Sequence, residues 1–230
     1  MFQRIEQPRI LREILEQIKQ NIANGQLKKG DRLPSERQMA EMFGVSRAII
    51  REAIKSLEMI GLIDCVQGGG NYIATNINNG LTEPLSIMFM LEGGTITQVQ
   101  QLRRSLEITA VGLAAARISQ ADLAVLDQIC TCLEGSDHTC DEVAQDRAFH
   151  FTLAHASGNP LFITMQNAVS ALIENQIRGV RSSMLREPDT MTRVNAQHRA
   201  VLEALRAGDP ARAVAAMTNH LDFIEKYLIP

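Results

Sequence analysis

With 230 residues and a formal net charge of −3, the chain is long enough for two modest domains and is not a polycation spread over its whole surface. No apolar run reaches the ~18–20 residues that a bilayer crossing needs, and the opening MFQRIEQPRI lacks the apolar core of a secretion signal. A cytoplasmic protein is therefore expected, with no membrane partner and with Cys65, Cys130, Cys132 and Cys140 as free thiols.

Charge is divided unevenly. Residues 1–75 hold 11 Lys/Arg against 9 Asp/Glu, net +2, and residues 76–230 hold 12 against 17, net −5. In the basic front, Ile10, Ile14, Ile18 and Ile22 recur every fourth residue and predict a one-sided helix, stopped at Gly25. Pro34 bars helix before it, Ser35 can cap the next helix, and Gln38 stands where a capping box wants it. Gly44 then permits a turn, and Ser46 caps a further helix whose buried face is Ile49, Ile50, Ala53, Ile54 and Leu57. After Gly61 come two strand-like runs, 62–66 and 71–74, around the turn Gln67-Gly68-Gly69-Gly70.

Helix, helix, helix, hairpin is a winged helix-turn-helix, which presents its last helix to a DNA major groove. Arg47 lies in the first turn of that helix and can reach guanine O6/N7; Arg51 shares its face one turn on. Arg37 can reach a phosphate or a base edge, and Ser46 with its helix N-terminus favours a phosphate. The glycine-rich hairpin tip lets backbone come close to DNA. The competing reading pairs these arginines with Glu36, Glu41 and Glu52 on a solvated surface.

The stretch from Gly25 through GDRLPSERQMAEMFGVSRAIIREAIKSLEMIGLI, followed by QGGGNYI, resembles the DNA-binding domain of GntR-family bacterial transcription regulators over nearly all of residues 8–75. The resemblance implies that Arg37, Arg47 and Arg51 contact operator DNA, that the wing glycine Gly68 approaches the minor groove, and that a homodimer binds a palindrome.

Residues 76–82 read as a short linker between a domain over 1–75 and one over 83–230. Beyond it the chain is a run of capped helices. Residues 83–91 are short and apolar, and Thr97 with Gln100 opens a long helix to about Ile118. Ser119 with Asp122 opens another, and Thr139 with Glu142 one that stops at Gly158. Asn159-Pro160 begins a fourth, a fifth ends at Gly208, and Asp209-Pro210 starts the last. No strand pattern follows residue 80. The whole is predicted to be mainly α, with an antiparallel all-α helical bundle behind the winged domain.

His150 follows Asp146 by four residues, so both project from one helix face; His198 and His220 lie on two other helices. Such a carboxylate and three imidazoles can converge on a metal in a bundle core. His155, five on from His150, falls outside that set. A rival site of Cys130, Cys132, His138 and Cys140 suffers because Cys130 and Cys132 stand about 200° apart on their helix.

Asp146-Arg-Ala-Phe-His150, His198 and His220, with LRRSLEITAVGLAA (102–115) and GNPLF (158–162), are similar to the FCD effector domain of the FadR subgroup of the GntR family. That likeness implies a divalent metal held by Asp146, His150, His198 and His220, and it argues against an acyl-CoA effector, since the fatty-acyl-CoA-responsive member lacks the metal set. Zn²⁺ suits the ligands; Ni²⁺ and Mn²⁺ suit them too. Open metal positions can take a small carboxylate or hydroxy-acid, and the family arginine that would pair with it stands four before Glu107, at Arg103 rather than Arg104.

Three functions fit. One is a ligand-controlled repressor whose effector changes the bundle. A second is a metal-dependent hydrolase or lyase fused to a DNA-binding domain, with Glu107 or Glu174 as general base. In the third, the metal itself is the signal.

Overall fold

A computed structural model describes residues 7–75, 79–135, 140–184 and 189–228, with side chains over 10–75, 80–135, 140–172 and 189–227. It divides into two compact units, 1–85 and 86–230. Among the described residues no helix is long and apolar enough to cross a membrane.

The first unit holds α1 (Gln7–Ala23), α2 (Glu36–Phe43), α3 (Arg47–Met59), β1 (Ile63–Val66) and β2 (Gly70–Ile73). Ser35 Oγ accepts from the Gln38 N–H at 3.3 Å and Gln38 Oε1 accepts from the Ser35 N–H at 2.9 Å, so α2 starts as its sequence requires. Gly44 turns the chain at φ +65°, which a β-carbon would oppose. Ser46 Oγ accepts from the Ile49 N–H at 3.3 Å to start α3. Ile14 and Ile18 of α1, Met39 of α2, and Ile50, Ile54 and Leu57 of α3 close one core with Ile63 and Ile73 of the hairpin.

β1 and β2 run antiparallel, Ile63 opposite Ile73 and Val66 opposite Gly70. A piece invisible to the strand pattern joins them. The Gly30 N–H donates to Ile73 O, the Ile73 N–H to Asp31 O, and the Leu33 N–H to Asn71 O. The loop before α2 thereby lines the hairpin's outer edge.

α4 (Asn79–Leu91) begins inside the segment expected to be linker. Its Asn-Gly start and Pro84 have turn composition, yet helix forms through them. The second unit holds the end of α4 from Ser86 onward, then α5 (Ile96–Ala115), α6 (Gln120–Glu134), α7 (Glu142–Ala156), α8 (Pro160–Met184), α9 (Thr190–Arg206) and α10 (Pro210–Leu228). α5 packs on α7, α8, α9 and α10, and α6 on α7 and α9. Val111, Leu126, Phe149, Leu202 and Met217 lie fully buried among them.

Two caps differ from expectation. α5 is capped by Thr95, in a capping box with Gln98, two residues before the expected Thr97 and Gln100. α7 is capped by Asp141 rather than Thr139, which lies outside the described residues.

The cysteine expectation is corrected: Cys132 and Cys140 form a disulfide, while Cys65 and Cys130 are free. The expectation rested on redox compartment, but the return from α6 toward α7 brings the two Cα atoms within 6.0 Å, inside bridging distance. The rival metal site falls with it. Two of its thiols are joined, Cys130 is in the core, and His138 lies outside the described residues.

Candidate functional site

Two groups of chemistry-bearing side chains stand out, one in each unit. In the first, Arg47 is the first residue of α3. It is exposed and carries no hydrogen bond or ion pair among the described residues. Arg51, one turn on, is held by Glu36: its Nε donates to both carboxylate oxygens at 3.2 Å and its Nη2 to Oε2 at 2.8 Å. The hydrogen bond from Arg51, ahead of opposing desolvation, moves the Glu36 carboxyl down. Arg37 is exposed and lies only loosely beside Glu41, at 3.8 Å. The three arginines thus differ: Arg47 is open, Arg37 nearly so, and Arg51 is engaged.

At the hairpin tip Gly68 is exposed, has φ +73°, and has open space where a β-carbon would point. Sequence reasoning missed Arg32. Its Nη2 donates to Gly69 O at 2.9 Å, and a β-carbon on Gly70 would meet its Nε at 3.1 Å. The arginine lies across the wing and ties it to the loop before α2. No local spacing signals that contact, because it joins residues 37 apart.

The second unit brings the histidines together. His150 on α7, His198 on α9 and His220 on α10 are buried, and they can each offer a ligand atom within 4.8 Å of the others. Ring centroids stand 5.7 Å apart for His150–His198, 5.4 Å for His150–His220 and 4.5 Å for His198–His220. Asp146 Oδ1 lies 3.5 Å from His198 Nε2. Two atoms each about 2.1 Å from one tetrahedral ion stand roughly 3.4 Å apart, so this separation fits shared ligation. His155 is exposed and faces Asp122 at 3.6 Å, away from the cluster as its helical phase required.

The surroundings suit a cation. Burial, followed by the neighbouring His198 and His150 imidazoles, pushes His220 well below the ordinary histidine value, which keeps it in the neutral form a metal needs. Its Nδ1 lies 3.3 Å from Gln197 Oε1. Phe149 is fully buried with its ring 4.6 Å from that of His198, so the site has an apolar floor.

Beside the imidazoles is an anion-friendly corner. Buried Arg103 donates from Nε to Glu107 Oε1 at 2.5 Å, and Gln166 Nε2 donates to the same oxygen at 2.8 Å. Arg103, Asp146, Arg147, His150, Gln166 and Ser170 line one pocket. Arg104 instead reaches Asp222 and lies 4.0 Å from Glu225 on α10. Burial pushes the Glu107 carboxyl up, but the Arg103 guanidinium, helped by the His150 imidazole beside it, outweighs this and holds it well below the carboxylate range. A carboxylate so committed is a poor general base. The Glu174 side chain lies outside the described residues.

Residues 98–223 match the family model for the FCD domain, and residues 11–73 that for "Bacterial regulatory proteins, gntR family". The HTH-type transcriptional regulator LutR of Bacillus subtilis (strain 168) is 36% identical over 212 residues, 90% of this chain and 95% of that protein. The Glc operon transcriptional activator of Escherichia coli (strain K12) is 27% identical over 94% of this chain and 87% of that one. The solved structure of Streptococcus agalactiae GntR matches with a TM-score of 0.72 at 25% identity, covering 94% of this chain and 99% of that chain.

Proposed function

The chain belongs to the GntR family of bacterial regulatory proteins and carries an FCD domain, and from that premise we propose that a small carboxylate, bound beside a divalent metal, sets its grip on operator DNA. It is a DNA-binding transcription regulator, not an enzyme. In this reading residues 1–75 read DNA, 76–82 link, and 83–230 sense the effector. Arg47 reads a base edge, Arg37 and Arg51 grip base edges or phosphates, Ser46 and its helix N-terminus favour a phosphate, and Gly68 brings the wing backbone to the minor groove. A homodimer in the cytoplasm places two such heads on a palindrome.

Asp146, His150, His198 and His220 would hold the metal, with Zn²⁺ the best match to three imidazoles and one carboxylate. When bound, the ion supplies Lewis-acid positions for a ligand oxygen. Arg103 offers its remaining guanidinium donors to the ligand's carboxylate. Control requires the ligand to favour one arrangement of the dimer over another.

The observation that carries this reading is the convergence of three buried imidazoles and Asp146 beside a buried arginine. Glu107 is too firmly ionised, and too fully engaged, to favour hydrolase chemistry. The test is thermal unfolding with a panel of small carboxylates, with and without chelator. A ligand at 100 times its Kd adds about 2.7 kcal/mol, or about 5–11 °C for a chain of this size. Stabilisation should vanish with chelator and in Arg103→Ala. A metal-dependent shift that no carboxylate changes would leave the metal as the signal and refute the effector.

A further inference from the structure

Glu107 is deeply buried, and its two oxygens have different neighbours. Oε1 accepts from Arg103 Nε at 2.5 Å and from Gln166 Nε2 at 2.8 Å. Oε2 lies 2.7 Å from His150 Nδ1. Neither Oε2 nor Nδ1 forms a hydrogen bond with any other group among the described residues. Two buried lone pairs cannot rest against each other at this separation, and each atom would be left unsatisfied at appreciable cost. A proton on Nδ1 aimed at Oε2 satisfies both. A carboxylate only accepts, so the proton has one place to be.

We propose that Glu107 is the positioning residue of the metal centre: it fixes His150 as the Nδ1–H tautomer and so leaves Nε2 as the atom that ligates. This inference rests on the metal-binding reading above. Arg103 and Gln166 cage the carboxylate from its other side, so that it cannot turn away from the imidazole. The partner of His220 is different in kind. Gln197 can present either its oxygen or its amide nitrogen, and it leaves that tautomer open. His150 is therefore committed before any ion arrives, by a group that itself touches no metal.

Glu107→Gln tests the idea with almost no change in shape. With its oxygen retained by Arg103 and Gln166, the new amide would donate to Nδ1, move the imidazole proton to Nε2 and block ligation. Zn²⁺ affinity, measured by competition with a chromophoric chelator, should fall by about 10–100-fold. Glu107→Asp keeps the acceptor and should restore part of the loss, which a purely space-filling role would not. Long-range ¹H–¹⁵N spectra of the wild-type protein give an answer that needs no variant. His150 should show its proton on Nδ1, and loading with ¹¹³Cd²⁺ should couple the metal to Nε2. Coupling through Nδ1, or Zn²⁺ affinity in Glu107→Gln within twofold of wild type, overturns the proposal while the metal site stands. A wild-type protein that binds neither Zn²⁺ nor Cd²⁺ overturns both.

Discussion

Replacing Arg47 with alanine separates base reading from surface charge. Arg47 is exposed at the start of α3 and makes no hydrogen bond or ion pair among the described residues, so its removal breaks none there. Stability should stay within about 0.5 kcal/mol of wild type. A lost bidentate guanine contact costs about 1–3 kcal/mol, which is roughly 5- to 160-fold in Kd for each half-site. Arg51→Ala gives the contrast. Arg51 must first release Glu36, so its net loss on DNA should be the smaller of the two. The assay is competition binding on a selected operator and on single-position variants, over a series of salt concentrations. Arg47→Ala should flatten the preference at one position of each half-site. If it weakens every sequence equally and lowers the salt slope by about one, the side chain grips phosphate and the base-reading assignment is wrong.

Other substitutions address the second unit. His198→Ala should cut bound metal, measured by elemental analysis, while the isolated DNA-binding transition of the first unit persists; wild-type metal content would remove His198 from the ligand set. Phe149→Ala empties a fully buried ring site beneath His198 and should cost about 3–5 kcal/mol in urea unfolding; a loss under 1 kcal/mol would mean the ring does not support the site. In metal-free protein His220 protonates far less readily when folded than the ordinary value of 6.5 seen when unfolded. The unfolded chain therefore binds more protons as pH falls below about 6.5, and stability should drop with a slope approaching 1.4 kcal/mol per pH unit. His220→Gln should remove that slope, and a flat profile in wild type would contradict the assigned burial.

Local chemistry was legible in the sequence where one short stretch decides the outcome. Ser35 with Gln38, and Ser46 before Arg47, start helices through hydrogen bonds three residues long, and both were found where the spacing put them. The four-residue step from Asp146 to His150 likewise places two side chains on one face of α7, whatever surrounds them. The wrong cap at Thr97 shows the limit of the same logic. Thr95 with Gln98 and Thr97 with Gln100 both satisfy the pattern, and only the packed fold selects the first. The start of α4 differs for a related reason: the polar stretch 76–82 with its one glycine argued for a linker before a helix over 83–91, and the helix already begins at Asn79.

Contacts between distant segments were not legible, and they include much of the site's interior. Spacing placed His198 and His220 on separate helices but could not show that α7, α9 and α10 meet; the family likeness supplied that expectation, and the folded chain brings the three imidazoles within ligand distance. Gln166 had no signal, since its bond to Glu107 spans 59 residues and its helix reads only as core. Glu107 was misread as a possible base because carboxylate identity says nothing about neighbours. Four residues separate it from Arg103, a spacing that describes a surface ion pair as well as this buried one. Burial decides between them. Away from water, the pair's charges are no longer screened, the carboxylate cannot take up a proton readily, and its spare oxygen is left facing an imidazole. The same two residues on an exposed helix would carry no information about a metal centre.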